Sequence, residues 1–150
     1  MSAKVHLRHE YTHSAQAVWE VATDMNAYAK VMARFMTFNG LPEEPLAEGQ
    51  QINVTFRLFG RLPPQPYHMR LDRFSPIDRH FKSFEWGGPV KSWEHELRVT
   101  ETATGSVLTD DIEIDAGWLT PIYAAFARYM YRSRHPVRLQ ILNEKTMETA

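Results

Sequence analysis

Residues 86–119 read WGGPVKSWEHELRVTETATGSVLTDDIEIDAGWL, and this stretch decides the architecture. Apolar residues alternate with polar ones in two runs, Ser92–Thr100 and Ser106–Ala116, which is the period of half-buried strands. The Thr102–Gly105 segment between them is a tight turn, so the two runs form a hairpin. The alternation turns Trp93, His95, Leu97 and Val99 to one face of the first strand and Leu108, Asp110, Ile112 and Ile114 to one face of the second. An imidazole and a carboxylate therefore share the core face.

On the N-terminal side of the hairpin the period is mostly two. Val5, Leu7, His9 and Tyr11 place a strand at about 4–12, and further strands are expected at Phe35–Leu41, Gln51–Phe59, Tyr67–Phe74 and His80–Trp86. The breaks LPEEPLAEG, GRLPPQP and SPID are rich in turn formers. Connections this short make antiparallel neighbours, because parallel crossovers need a dozen or more residues. Between the first two strands Ser14 stands where an N-cap belongs, ahead of a helix over 15–23 with Ala15, Val18, Trp19 and Ala22 on one face. A second short helix is expected over 27–32.

Beyond the hairpin, Thr120-Pro121 is a good helix start. Ile122, Phe126, Met130, Val137 and Ile141 recur as one apolar stripe to about Asn143. Pro136 predicts a kink or brief break near 132–136, since it removes a backbone donor and crowds the preceding turn. Residues 145–150 are expected to fray. The sum is an α+β chain: a single domain over 1–150, with about seven antiparallel strands, two short helices after the first strand, and a long C-terminal helix.

Composition narrows the function. At 150 residues and 43% apolar, the chain can bury roughly 68–70% of its unfolded surface. A net charge of −1 argues against a general nucleic-acid binder. The absence of cysteine excludes disulfides, thiolate metal sites and a cysteine nucleophile. No apolar run has the length of a bilayer span and the N-terminus alternates, so a cytoplasmic location is the default expectation. From Trp118 onward Arg128, Arg132, Arg134, Arg138 and Lys145 face only Glu144 and Glu148. The simplest reading is a solvated helix face with cations near its C-terminal end; peripheral contact with an anionic membrane is a further one. His6, His9 and His13 would be scattered by a strand, which disfavours a metal site. No motif requires a cofactor, and none bears on oligomeric state.

The order of elements, with the stretch Gly88-Pro89-x-x-x-Trp93-x-His95, the stretch Thr109-Asp110-x-Ile112-Glu113, and the basic, aromatic helix Ala127–His135, resembles the START-like superfamily. This superfamily is also called Bet v 1-like or SRPBCC, and it includes polyketide cyclases/dehydrases and lipid carriers. The resemblance implies a helix-grip fold, with a curved antiparallel sheet wrapped around the long helix and an apolar small molecule held between them. That function would be binding or carriage of a lipid-like or polyketide-like molecule. The same fold also hosts cyclase, aromatase and dehydratase enzymes.

A cavity of this kind needs apolar walls and a few placed polar groups. Phe56, Leu58, Tyr67, Met69, Leu71, Trp93, Leu97, Ile112, Ile114, Phe126 and Met130 are the expected walls, although the same residues also suit a filled, dry core. His9 and Tyr11 point inward by parity. His95 and Asp110 are the sharpest polar candidates. They fit a satisfied buried pair, a ligand-orienting pair, or a general acid/base pair, and a one-residue slip in register would turn both outward.

Overall fold

Residues 1–148 are described by a computed structural model. Strand β1 (Ala3–Tyr11) buries Val5, Leu7 and Tyr11, half-buries His9 and exposes His6, Arg8 and Glu10. Ser14 caps α1 (Ala15–Thr23) by accepting the Ala17 N–H at 3.1 Å. Asp24 then ends that helix and caps α2 (Met25–Met32), with its carboxylate accepting the N–H groups of Asn26 and Ala27. One residue therefore makes the corner between the two helices, and α2 starts two residues earlier than its apolar spacing indicates.

Six strands follow: β2 (Met36–Asn39), β3 (Gln51–Leu58), β4 (Gln65–Ser75), β5 (His80–Gly87), β6 (Val90–Thr102) and β7 (Gly105–Asp115). They build one curved antiparallel sheet in the order β1-β7-β6-β5-β4-β3-β2. Every neighbouring pair except β1–β7 is also consecutive among the strands. β2 is shorter than the expected 35–41. Register shifts at Leu71/Arg73 and Glu85/Gly87 mark bulges, the device by which a sheet bends locally.

A 3-10 turn (Gly117–Leu119) leads into α3 (Thr120–Glu148), which packs against β1, β7, α1 and α2. Its 29 residues make it about 43 Å long at about 1.5 Å per residue. Three sequence expectations need correction here. The helix runs unbroken through Pro136, so losing one donor does not interrupt a helix held by packing on both sides of that point. It is also helical through Glu148, where fraying was expected from 145; residues 149 and 150 lie outside the described residues.

The third correction concerns the extent of the inner face of α3 and its first residue, Ile122. The buried positions are Thr120, Ala124, Ala127, Met130, Tyr131, Arg134, Arg138, Ile141 and Leu142, whereas Ile122 is 65% exposed. The expected stripe holds at Met130 and Ile141, which are buried, and at Phe126 and Val137, which are half-buried against the core, but not at Ile122; Ala124, Ala127, Tyr131, Arg134, Arg138 and Leu142 widen the inner face beyond it. Arg134 and Arg138 are buried, not solvated, while Arg128, Arg132 and Lys145 are exposed. Among the described residues no helix is long and apolar enough to cross a membrane.

Candidate functional site

Strand pairing lays the inner face out in cross-strand rows. Glu85, Trp93, Ile114 and Ala3 lie opposite one another across β5, β6, β7 and β1. Ser83, His95, Ile112 and Val5 form the next row, and Phe81, Leu97, Asp110 and Leu7 the one after. His95 and Asp110 are thus diagonal neighbours, within side-chain reach on one face. Their atoms meet: His95 Nε2 lies 2.6 Å from Asp110 Oδ1, with both side chains almost fully buried.

A carboxylate only accepts, so Nε2 carries the proton and Nδ1 is left with its lone pair in the neutral ring. Burial acts to raise the Asp110 pKa, but the His95 hydrogen bond and the positive potential of His95, Arg138 and Arg134 outweigh it. The carboxyl is held below its ordinary value. The imidazole edge also packs against Tyr131 (5.1 Å between centroids) and Phe81 (5.2 Å).

Beneath α3 the interior opens into two chambers. The larger, of about 230 Å³, is walled by Phe56, Leu58, Tyr67, Trp93, Phe126 and Met130, together with residues of α2 and β2. The smaller, of about 70 Å³, lies between α1, α2 and β3–β6 and is bordered by Met69, Leu71, His95 and Leu97. Tyr28, Glu85, Tyr131 and Arg134 border both and form the partition. Of the residues expected to face a cavity, ten therefore border one chamber or the other. His9, Tyr11, Asp110, Ile112 and Ile114 lie on the inner face but border neither; His9 and Tyr11 pack instead against His135 of α3.

The partition is chemically dense. Ser83 Oγ donates to Glu85 Oε2 at 2.8 Å, and the Tyr67 side chain lies near the same carboxylate. Trp93 Nε1 donates to the Tyr131 hydroxyl at 3.3 Å. Burial raises all three tyrosines, Tyr28 to about 12 and Tyr67 and Tyr131 well above their ordinary value, so each is a neutral hydroxyl at physiological pH. The Arg134 guanidinium lies 4.0 Å over the Tyr131 ring and 5.5 Å from the Tyr28 ring. Burial works against its charge, but the nearby carboxylates Asp110 and Glu85 favour it, and the guanidinium stays cationic. Four residues further on, Arg138 Nη1 donates to the Tyr11 hydroxyl at 3.2 Å.

Ser83, Glu85, Tyr28, Tyr131, Arg134 and Arg138 are absent from the sequence-derived site. One signal was available for the two on β5: Phe81, Ser83 and Glu85 share a parity, and their placement follows if Phe81 is inward. Among the described residues no group of three or more His, Asp or Glu is placed to hold a metal ion. The outer face of the sheet carries an open groove lined mostly by charged residues, including Lys4, Lys82, Glu94 and Glu113.

Comparison with known proteins supports the architecture. Residues 10–141 match the family described as Domain of unknown function (DUF8410). No curated protein matches the chain. Among solved structures, the Zhui aromatase/cyclase from Streptomyces sp. R1128 superimposes with a TM-score of 0.73 at 18% identity, covering 97% of this chain and 96% of that one. Protein CV1439 from Chromobacterium violaceum gives 0.75 at 12% identity, with 93% and 96% covered. Ara h 8.0201 gives 0.71 at 8% identity, with 95% and 99% covered. Such low identities speak to fold, and the fold is START/Bet v 1-like, the helix grip.

Proposed function

The chain belongs to the DUF8410 family, and we propose that it binds and carries an apolar or aromatic small molecule, lipid-like or polyketide-like, in the larger chamber under α3. The observation that carries this reading is a space of about 230 Å³ walled by Phe56, Leu58, Trp93, Phe126 and Met130 in the middle of the domain. The space is partly open to solvent, and a ligand that buries roughly 200 Å² of apolar surface in it gains about 5 kcal/mol before ordering costs. Met32, Met36 and Met130 in the wall adapt their rotamers to irregular shapes.

Native mass spectrometry of gently purified protein tests the reading, together with titration of N-phenyl-1-naphthylamine followed by quenching of tryptophan fluorescence. A retained apolar species, or saturable quenching that Trp93→Phe reduces, is the expected result. A protein that carries nothing and binds no probe rules the carrier reading out.

A second reading has a specific observation behind it: the buried 2.6 Å His95–Asp110 bond, with His95 on the wall of the smaller chamber. An imidazole oriented by an ionised carboxylate is suited to move protons on a polyketide-like substrate, as in a cyclase, aromatase or dehydratase. The likeness to an aromatase/cyclase structure is compatible with it. In this reading the reacting carbon must pass the partition to reach His95, whereas the carrier needs only the larger chamber. His95→Ala separates the two: a carrier keeps most of its affinity, while an enzyme keeps binding and loses turnover.

A further inference from the structure

We infer that the ligand carries a delocalised oxyanion, a carboxylate or an acidic enol, and that Arg134 receives it at the inner wall of the larger chamber. The inference rests on the reading of that chamber as a ligand site, and it names the substrate class.

Arg134 is 6% exposed, and its Nε is buried with no hydrogen-bond partner. Among the described residues no carboxylate lies within 4.0 Å of the guanidinium. The two buried acids nearby are engaged elsewhere, Asp110 by His95 and Glu85 by Ser83. The contacts Arg134 does make are with the faces of Tyr131 and Tyr28, which steady the cation but offer no lone pair in line with its N–H groups. Arg138 is the internal contrast, for it is equally buried on the same helix and has the Tyr11 hydroxyl as acceptor.

A buried cation without a paired acceptor is costly, and such groups are normally matched. Here the missing partner has a place to come from. Arg134 borders both chambers, so a molecule whose apolar body lies among Phe56, Trp93, Phe126 and Met130 reaches it with one end. The planar fork of N–H donors fits two oxygens side by side. Stacking on two rings fixes that fork before the ligand arrives, which lowers the ordering cost. Glu85 stands on the same wall, where it accepts from Ser83 Oγ and makes no ion pair with Arg134.

The test uses two probes of one shape, naphthalene-2-carboxylate and the neutral 2-acetylnaphthalene, titrated calorimetrically into the native protein, Arg134→Met and Arg134→Lys. In the native protein the carboxylate should bind at least about 10-fold tighter than the ketone, as a charge-assisted, two-point contact requires. Arg134→Met should erase that preference and leave the ketone within about 3-fold of its native affinity, and Arg134→Lys should retain part of it. Equal affinity of both probes for the native protein overturns the oxyanion site while leaving the chamber as a ligand site. Equal loss of both probes in a folded Arg134→Met assigns Arg134 a structural role and also overturns it. Binding of neither probe to the native protein removes the chamber reading, and the inference with it. The comparison within the native protein decides the question even if a variant fails to fold.

Discussion

Two histidine–carboxylate pairs sit back to back on the last strand, and their hydrogen bonds are nearly equal in length. On the inner face His95 meets Asp110 at 2.6 Å with side chains 5% and 2% exposed; on the outer face His6 meets the next residue, Asp111, at 2.5 Å with side chains 60% and 57% exposed. Geometry alone does not distinguish them. The surroundings do: an ion pair in water loses most of its Coulomb energy to solvent, whereas a buried one is strong once formed and expensive to leave half made. Adjacent aspartates on one strand therefore occupy opposite extremes of cost, and only the inner one is tied to Arg138 and Arg134 through the field they share.

The largest expected effect breaks the inner pair. Asp110→Ala leaves a buried imidazole and two buried guanidiniums without their compensating carboxylate, and urea unfolding should show a loss of about 3–5 kcal/mol. A double-mutant cycle between positions 95 and 110 should give a coupling above about 1 kcal/mol, and the same cycle between positions 6 and 111 a value near zero. Equal coupling in the two cycles would mean that burial does not set the difference.

Acid sharpens the comparison further. Asp110 is depressed in the folded state, so its contribution is fully present above the unfolded value of 3.8 and is lost as pH falls through the lower folded value. Its arm of acid unfolding should therefore appear below about pH 4. His9 and His135, stacked at 4.6 Å, are also depressed, first by burial and then by nearby positive charge, with Asp110 partly opposing this at His9. The unfolded chain takes up their protons first, so stability should begin to fall as pH drops through 6.5. Substituting both with Gln should flatten the urea midpoint between pH 7 and 5 and leave the acid arm of Asp110 in place. The smallest effect is on the outer face: Asp111→Ala should stay within about 0.5 kcal/mol, and 1 M salt should abolish even that.

The contrast also marks how far the sequence could be read. Strict alternation from Trp93 to Val99 and from Leu108 to Ile114 determines the hairpin register, and with register comes the inward pair. Ser14 and Gly105 mark their turns because capping and close approach leave few other choices; a Cβ at Gly105 would collide with the backbone of Tyr11 and Thr12. The partition was hidden for a different reason. β5 carries aromatics on both faces, since Phe84 and Trp86 pack on the outside with Arg70 and His68 while Phe81 packs inside against Trp19. Its parity is therefore ambiguous from composition, and Ser83 and Glu85 were not assigned inward. Arg134 and Arg138 were missed because a hydropathy pattern counts arginine as solvent-facing. Their burial depends on tyrosines from β1 and α2 that are distant in sequence.

The pairing of β1 with β7 sets the order in which the chain can fold. Ala3 lies opposite Ile114 and Tyr11 opposite Ser106, so β1 precedes the other strands of its sheet in the chain and its partner follows them all. Until β7 is complete, Val5, Leu7 and Tyr11 have no place in a sheet, and closing a loop of about a hundred residues carries an entropic cost that slows the step. The interior beneath α3 thus forms only once β7 and α3 have both been made, so a chain cut before β7 carries an exposed apolar strand in place of a binding chamber.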